Sequence, residues 1–571
     1  MTKPTVIDLF CGAGGFSEGF RQQGFEIVYG VDCWKPAVDT FNHNFGLSCV
    51  PSNILDFETS IELINQLPDT DIIIGSPPCE DFSSSNKSGK ADKSLGLKLI
   101  KIFLKIVTIK KHQPDSKLKA WIMENVRNST AHLEDKYTFK QLDLSEWALE
   151  KGFNPDMDAI CLKENRASIN SANFGVPQSR VRAFVGEITQ TQRRINPAKT
   201  HKAPDKEGNL PNYITLGYIR ESLPKPNSEK AETLIADPLY PGIKVKQIEL
   251  TDHFYDTGLY ACEWKESRYL KQNHPYMGHM AFPEREDRPS RTVTATKIGT
   301  SREAIILPST WSRKGDGEYR TATVREAATL MGFPITFQFL ASEGNKWKLV
   351  GNAVCPPVSR AFAKEIREQY GLEEIVEPVV TGLARLNEVQ DLNTFKSKQF
   401  NNSPRRKKGS RFRRHPFKDG NMTVTLSNYD IEENTQSQGK WQTSIQYGTG
   451  EGFIIQKFTD GYFKNLEPII SEFEGGTGFI DVISNGFSEK IPSALLLQQM
   501  YEDRRSEGRY IGPEQLIEAI RDIIEKVDMK ETTFNREPSL FKKNSIPKKQ
   551  VMALYAISKI CSIANGERND E

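Results

Sequence analysis

Residues Ile72 to Ser83 read IIIGSPPCEDFS, and this stretch decides the fold. Three consecutive β-branched residues make the pattern of a strand covered on both faces in a parallel sheet. Gly75 ends the run. Pro77 and Pro78 then fix two successive φ angles and remove two backbone donors, so the chain leaves the sheet as a stiff extended loop with Cys79 at its tip. A cysteine in a cytosolic chain is ordinarily one more small core residue. The Gly-Ser-Pro-Pro frame is a poor way to bury a thiol and argues for a presented one.

The chain of 571 residues is too long for one compact domain, and about two to four are expected. A hydrophobic share of 37% with 26% charged residues is that of a globular protein with a sizeable core. No apolar run approaches a membrane span, and MTKPTVIDLF enters a strand directly, so no membrane association and a cytoplasmic location are expected. The eight cysteines contain no C-x-x-C pair, which suggests neither a disulfide framework nor a zinc site; no metal is expected. A net charge of +2 averages over acidic and basic regions and says little about partners.

From the N-terminus, Thr5–Phe10 reads as a strand, Cys11-Gly-Ala-Gly-Gly15 as a glycine turn and Phe16–Gln23 as a helix. This is the first half of a nucleotide-binding βαβ unit, although a tight strand-to-helix turn has the same composition. The next strand, Glu26–Val31, ends at Asp32, about twenty residues past the loop, where an acid meets ribose hydroxyls in such folds. Helix Lys35–Asn44, a strand around Cys49–Ile54, helix Ser60–Leu67, strand Asp71–Ile74 and helix Leu95–Ile109 follow. Strand Ala120–Met123 then ends in Glu124-Asn125-Val126, placing a carboxylate on the same sheet rim as Cys79.

These residues resemble a known family. DLFCGAGGFSEGF at 8–20, GSPPCEDFS at 75–83, MENV at 123–126, QSRVRAFVG at 178–186, REAATLMGFP at 325–334 and GNAVCPPV at 351–358 are similar to the ordered motifs of the DNA cytosine-5 methyltransferases of bacterial restriction-modification systems. The resemblance implies an α/β fold: a Rossmann-like domain dependent on S-adenosyl-L-methionine, formed by residues 1–190 and 289–375, with a small target-recognition domain at 191–288. RPSRTVTAT at 288–296 resembles the hinge into that domain. Beyond it the reading is a basic linker at 376–420 and an extra C-terminal α+β accessory domain at 421–571.

Chemistry explains the residue types. Cytosine carbon 5 is a poor nucleophile, and addition of the Cys79 thiolate to carbon 6 activates it. Glu124 is the candidate to meet charge at ring nitrogen 3, and a fixed cation near ring oxygen 2 suits Arg180 and Arg182. By resemblance, Arg182 faces the base, Arg180 supports the nucleophile loop and Gln178 orders the strand. Phe10, Gly12, Gly14, Gly15, Asp32, Asn53, Pro78 and Asn352 match the cofactor positions. Asn53 replaces the usual adenine-binding aspartate, though its carbonyl still accepts a hydrogen bond, and Glu80 replaces the usual glutamine after the nucleophile. Carbon 6 is inaccessible in a stacked duplex, so the base must be flipped out. Ser83, Ser84, Ser85 and Lys87 of the polar loop after Cys79, together with Gln178, are the candidate DNA contacts.

Residues 191–288 show little periodicity, several prolines and scattered aromatics, as expected of a segment that reads base edges in the major groove. Lys396–Lys418 carries ten Lys or Arg and no acid, either an arm attracted to phosphate or a solvated linker. Strands over Met422–Lys457 and helices at Leu495–Arg505, Leu516–Val527 and Ile546–Ala564 are expected beyond it, in an auxiliary DNA-binding or partner-binding module; no Glu-x-Lys follows Asp481, which disfavours a fused nuclease. The expected function is methylation of a specific double-stranded DNA sequence, with a cognate restriction endonuclease as partner. The alternatives are a tRNA cytosine-5 methyltransferase and a DNA-binding protein that keeps the fold without catalysis.

Overall fold

The computed structural model describes residues 3–78, 94–273, 279–296, 299, 301–309, 318–380, 414–419, 422–430, 435–436, 440–448, 454–503, 507–529, 532–535 and 540–566. The chain divides into two compact units, Met1–Leu259 with Leu270–Gln399 and Tyr260–Tyr269 with Phe400–Glu571. Cys79, Glu80, Ser83, Ser84, Ser85 and Lys87 lie outside the described residues, as does most of the basic run.

The first unit is built on a seven-stranded sheet. Strands β1 (Thr5–Leu9), β2 (Glu26–Val31), β3 (Ile72–Gly75) and β4 (Ala120–Val126) are joined by helices α1 (Gly15–Gln22), α2 (Lys35–Phe45), α3 (Ile61–Gln66) and α4 (Ser94–His112). These four strands pair in parallel in the order β2-β1-β3-β4. Strand period explains why the isoleucine run is continuous: Ile72 and Ile74 enter one apolar core while Ile73 enters the core on the opposite face. Val6 and Ile7 of β1, and Ile122 and Trp121 of β4, divide in the same way.

Beyond β4 the sheet turns antiparallel. Strands β5 (Arg166–Asn170), β6 (Val181–Ile188) and the short β7 (Arg193–Arg194) complete it, with β6 between β4 and β5 and β7 on β6. The strand expected around Cys49–Ile54 is not there. Pro51 offers no donor, the Asn53 side chain accepts the Leu55 N–H, and the chain enters a 3-10 turn at Ile54–Phe57. β4 runs further than Ala120–Met123, so Glu124 lies within the strand and is 5% exposed.

After β7 the chain returns to the same core through helices α5 (Val324–Leu330), α6 (Glu343–Asn352) and α7 (Pro356–Gln369). Thr323 and Glu326 close a reciprocal cap on α5. Among the described residues of 191–288, Leu216, Ile219, Leu223, Tyr240, Val245 and Leu250 share the cluster that holds Phe16, Phe41 and Phe333. The second unit has a four-stranded antiparallel sheet, Arg414–Asp419, Met422–Ser427, Gln442–Tyr447 and Ile455–Phe458 in sequence order. Helices including Phe463–Ser471, Pro513–Glu525 and the buried Lys548–Asn565 share its core. The expected linker 376–420 therefore ends too late: Arg414–Asp419 is a strand, because His415 and Phe417 alternate inward between charged neighbours. Among the described residues no helix is long and apolar enough to cross a membrane.

The glycines of α1 allow the closing contact of the first unit. A Cβ at Gly15 would meet the Val354 carbonyl oxygen at 2.3 Å, and one at Gly19 would meet the Arg360 nitrogen at 2.4 Å and the Pro356 oxygen at 2.5 Å. Backbone cannot yield there as a side-chain tip can. Gly19→Ala is expected to destabilise the first unit by about 2 kcal/mol. Gly344→Ala, whose Cβ meets nothing within 4 Å, is expected to be neutral or stabilising by up to about 1 kcal/mol. Denaturant midpoints of the two variants check the pair; equal effects would contradict it.

Candidate active site

The C-terminal ends of β1–β4 form one rim, and four loops carry the candidate residues onto it. After β1, Phe10 adopts φ 66, a left-handed conformation uncommon for an aromatic residue, and Gly12 and Gly14 follow at φ 51 and 93. The Cys11 N–H reaches the Val31 carbonyl, and the Gly14 N–H the Cys11 carbonyl, so the turn is tied to the end of β2. There Asp32 accepts the Gly12 N–H at 3.0 Å on one oxygen and the Trp34 N–H at 2.8 Å on the other. Burial raises its carboxyl above the usual value, opposed by these backbone bonds.

This cradle fits S-adenosyl-L-methionine by the chemistry of its donors and acceptors. Space over Gly12 is open, with nothing within 4 Å of its Cβ position. Each Asp32 oxygen keeps a lone pair for a ribose hydroxyl, and Asn53, exposed, spends one carbonyl lone pair on Leu55 and keeps the other. Gly15 and Gly14 are buried, so they shape the loop rather than line it; Asn352, at the end of α6, is exposed.

Past β3, the Ser76 N–H bonds the Leu9 carbonyl, Pro77 is buried and Pro78 is exposed on the rim, directly before Cys79. Ser76 Oγ donates to Glu124 Oε2 at 2.5 Å, and Arg182 Nε lies 3.2 Å from Glu124 Oε1. Register explains the second contact: antiparallel β6 sets Arg182 opposite Val126, with Glu124 two residues along the same strand. Asn125 Nδ2 donates to the Pro77 carbonyl at 3.1 Å, fixing the chain before Cys79 to β4. One carboxylate is thus held by a hydroxyl and a guanidinium beside the point where the chain turns toward Cys79. Ser76 carried no expectation from the sequence, although it is the polar residue of the same Gly-Ser-Pro-Pro frame.

The structure buries two of the expected site residues. Gln178 was expected to touch DNA, but it is fully buried; its Nε2 donates to the Leu330 carbonyl at 3.2 Å and its Oε1 accepts the Val293 N–H at 2.8 Å. With its amide spent inside the protein it is a positioning residue. Arg180, expected beside Arg182 as catalytic, is 5% exposed and donates to the carbonyls of Val293, Gly351 and Ala353 at 3.1, 3.2 and 3.3 Å. Among the described residues it fastens the GNAV segment and the backbone at Val293 to the site.

A small cleft is lined by Glu124, Arg180, Arg182, Ser171, Phe184 and Cys355, among others. Cys355 is a second cysteine beside the site that the sequence did not single out. Burial pushes its thiol up to about 11, so it stays a thiol at neutral pH and is no nucleophile.

The family described as C-5 cytosine-specific DNA methylase matches residues 4–368. The chain belongs to that family. It is a methyltransferase. Over 366 residues it is 29% identical to the Type II methyltransferase M.AplI of Arthrospira platensis, covering 63% of this chain and 85% of that one. It is 43% identical over 130 residues to M.HgiGI of Herpetosiphon aurantiacus, 22% of this chain and 91% of the other. A solved structure of the Entamoeba histolytica methyltransferase EhMeth aligns with a TM-score of 0.41 at 14% identity, over 65% of this chain and 99% of that chain.

Beneath the glycine loop lies a further acid. Asp8 is 1% exposed; Ser17 Oγ donates to its Oδ2 at 2.6 Å and its Oδ1 has no hydrogen-bond partner among the described residues. Burial raises the carboxyl from 3.8 to about 8, with the Ser17 bond opposing and Asp32 adding to the rise. The folded state holds this proton more tightly than the unfolded chain, so its contribution is fully present below the usual value of 3.8 and is lost as pH rises to about 8. Asp8→Asn, which keeps an acceptor for Ser17, is expected to flatten the fall in melting temperature over that window. An unchanged slope in melting curves across pH would contradict the assignment.

Proposed function

We propose that this methylase transfers a methyl group from S-adenosyl-L-methionine to carbon 5 of a cytosine flipped out of a specific double-stranded DNA sequence, through a covalent adduct of Cys79. The observation that carries the reading is the Glu124 carboxylate held between Ser76 and Arg182 on the rim where Pro78 leads into Cys79. S-adenosyl-L-methionine, when bound, supplies an electrophilic methyl group. The Cys79 thiolate forms a bond to ring carbon 6, and the displaced electron pair moves toward carbon 5 and nitrogen 3. Glu124 meets nitrogen 3, while Arg182 stands near oxygen 2 and against the developing charge. After methyl transfer the carbon-5 proton leaves, the carbon–sulfur bond breaks and the thiolate returns to Cys79. Asp32, Asn53, Phe10, Gly12 and Asn352 surround the cofactor, with Pro78 between it and the base.

Ser83, Ser84, Ser85 and Lys87 contact the phosphate backbone around the flipped nucleotide. Residues 191–288 read the bases. The Type II names of the curated relatives support a place in a restriction-modification system, with an endonuclease acting at the same site.

Transfer of labelled methyl groups to DNA and to tRNA by the purified protein tests the substrate, and bisulfite sequencing of DNA from expressing cells locates the modified cytosine. DNA labelling at one sequence context is expected; labelling of tRNA alone would overturn the reading. Cys79→Ser is expected to abolish transfer while retaining DNA binding, because an alkoxide is not available at neutral pH. Glu124→Gln should lower kcat by roughly a hundredfold or more with a smaller change in KM. A raised KM at unchanged kcat would remove Glu124 from the chemistry.

A further inference from the structure

Thr251–Tyr255, reading TDHFY, lies within the segment proposed to read bases, yet it is buried against the helices that lead to the cofactor motif. Asp252 adopts φ 60, in the left-handed region that aspartate enters more readily than most residues. Its Oδ1 accepts from Lys346 Nζ at 2.6 Å, and its carbonyl accepts the Arg325 N–H at 3.0 Å. Arg325 Nη2 lies 4.0 Å from Asp252 Oδ2 and donates to Thr251 Oγ1 at 2.6 Å. Tyr255 OH accepts the Val324 N–H at 2.9 Å, and His253 Nδ1 is 3.1 Å from Thr323 Oγ1. Four of these five residues thus hold the start of α5 or reach into α6.

Lys346 is 1% exposed and belongs to the same helix as Asn352. That helix is held elsewhere too. Trp347 Nε1 donates to the Thr294 carbonyl at 2.9 Å, and Arg180 donates to the carbonyls of Gly351 and Ala353. At Gly351 an added Cβ would meet the Thr294 carbonyl oxygen at 2.4 Å, so the helix end lies hard against the backbone at Thr294. A helix packed this closely moves as a body, and a change at Lys346 is carried to Asn352.

We propose that Asp252 and Lys346 are positioning residues that set the helix carrying Asn352 for cofactor binding, and so tie the base-reading segment to the cofactor site. The proposal rests on the assignment of Asn352 and Asp32 to the cofactor. An ion pair buried this deeply is a weak source of stability but a definite geometric constraint. Removing both charges together strands neither partner, and Arg325, which loses Asp252 at 4.0 Å, keeps its hydrogen bonds to Thr251 and the Phe337 carbonyl.

The test uses the full-length protein and S-adenosyl-homocysteine as the calorimetric probe. The double variant Asp252→Asn/Lys346→Met is expected to melt within a few degrees of the parent and to bind the probe about tenfold more weakly. Its KM for S-adenosyl-methionine should rise by a similar factor, with kcat at saturating cofactor within about twofold of the parent. A folded double variant with the parent affinity would overturn the proposal. If the double variant fails to fold, Lys346→Arg, which keeps the charge but changes its geometry on Asp252, must weaken the probe by about threefold, and parental binding by it overturns the proposal in turn. Asp32→Ala serves as the control: if it binds the probe as the parent does, the cofactor assignment itself fails, an outcome separate from failure of the clamp.

Discussion

The first unit depends on a close approach of two backbones. Residues 353–360 lie directly against α1, and only glycine at positions 15 and 19 leaves room for them. The Ser359 hydroxyl donates to the Phe16 carbonyl across the same contact. More than three hundred residues separate the two sides, so the sheet rim and the GNAV motif form one site only because α1 is nearly side-chain-free along this face. Gly12 and Gly14 serve a different need, the left-handed turn that brings the loop to Asp32.

From that contact the remaining geometry follows. With residues 351–355 held in place, Arg180 can reach three backbone carbonyls and Gln178 can bridge Val293 and Leu330, which anchors the start of β6. A fixed β6 then presents Arg182 to Glu124 through antiparallel register. The two arginines of QSRVR divide their labour although strand period alone would set residues two apart on one face. Arg180 lies just before β6 and spends its guanidinium on the carbonyls of Val293, Gly351 and Ala353, whereas Arg182, within β6, reaches Glu124. Buried cysteines are removed from the chemistry by the same packing: burial raises the thiols of both Cys11 and Cys355.

Much of this was legible in the chain because local and global signals agree. The isoleucine run, the glycine turn and the acid after β2 each have one simple structural solution, and the structure adopts it at Ile72–Gly75, Cys11–Gly15 and Asp32. What failed had competing solutions. Cys49–Ile54 has strand composition, but Asn53 caps a turn. QSRVRAFVG gives no sign that β6 runs antiparallel, because an alternating strand reads the same in either direction. The burial of Gln178 and Arg180 depends on partners more than a hundred residues away, which no local pattern encodes. The integration of residues 237–255 into the main core was hidden for the same reason: Asp237 spends its carboxylate on the N–H groups of Leu239, Tyr240 and Ile335, a distant pairing that composition cannot show.

The central claim is that Cys79 attacks carbon 6 of a cytosine whose ring is held by Glu124 and Arg182. Its most direct test is a duplex carrying 5-fluorocytosine at the methylated position, incubated with the protein and S-adenosyl-methionine. Fluorine on carbon 5 cannot leave as the proton does, so the adduct cannot resolve. A denaturant-resistant protein–DNA complex, mapped by mass spectrometry to the peptide containing Cys79, is predicted. Methylation of ordinary DNA without any such complex, or attachment through another residue, would contradict the account.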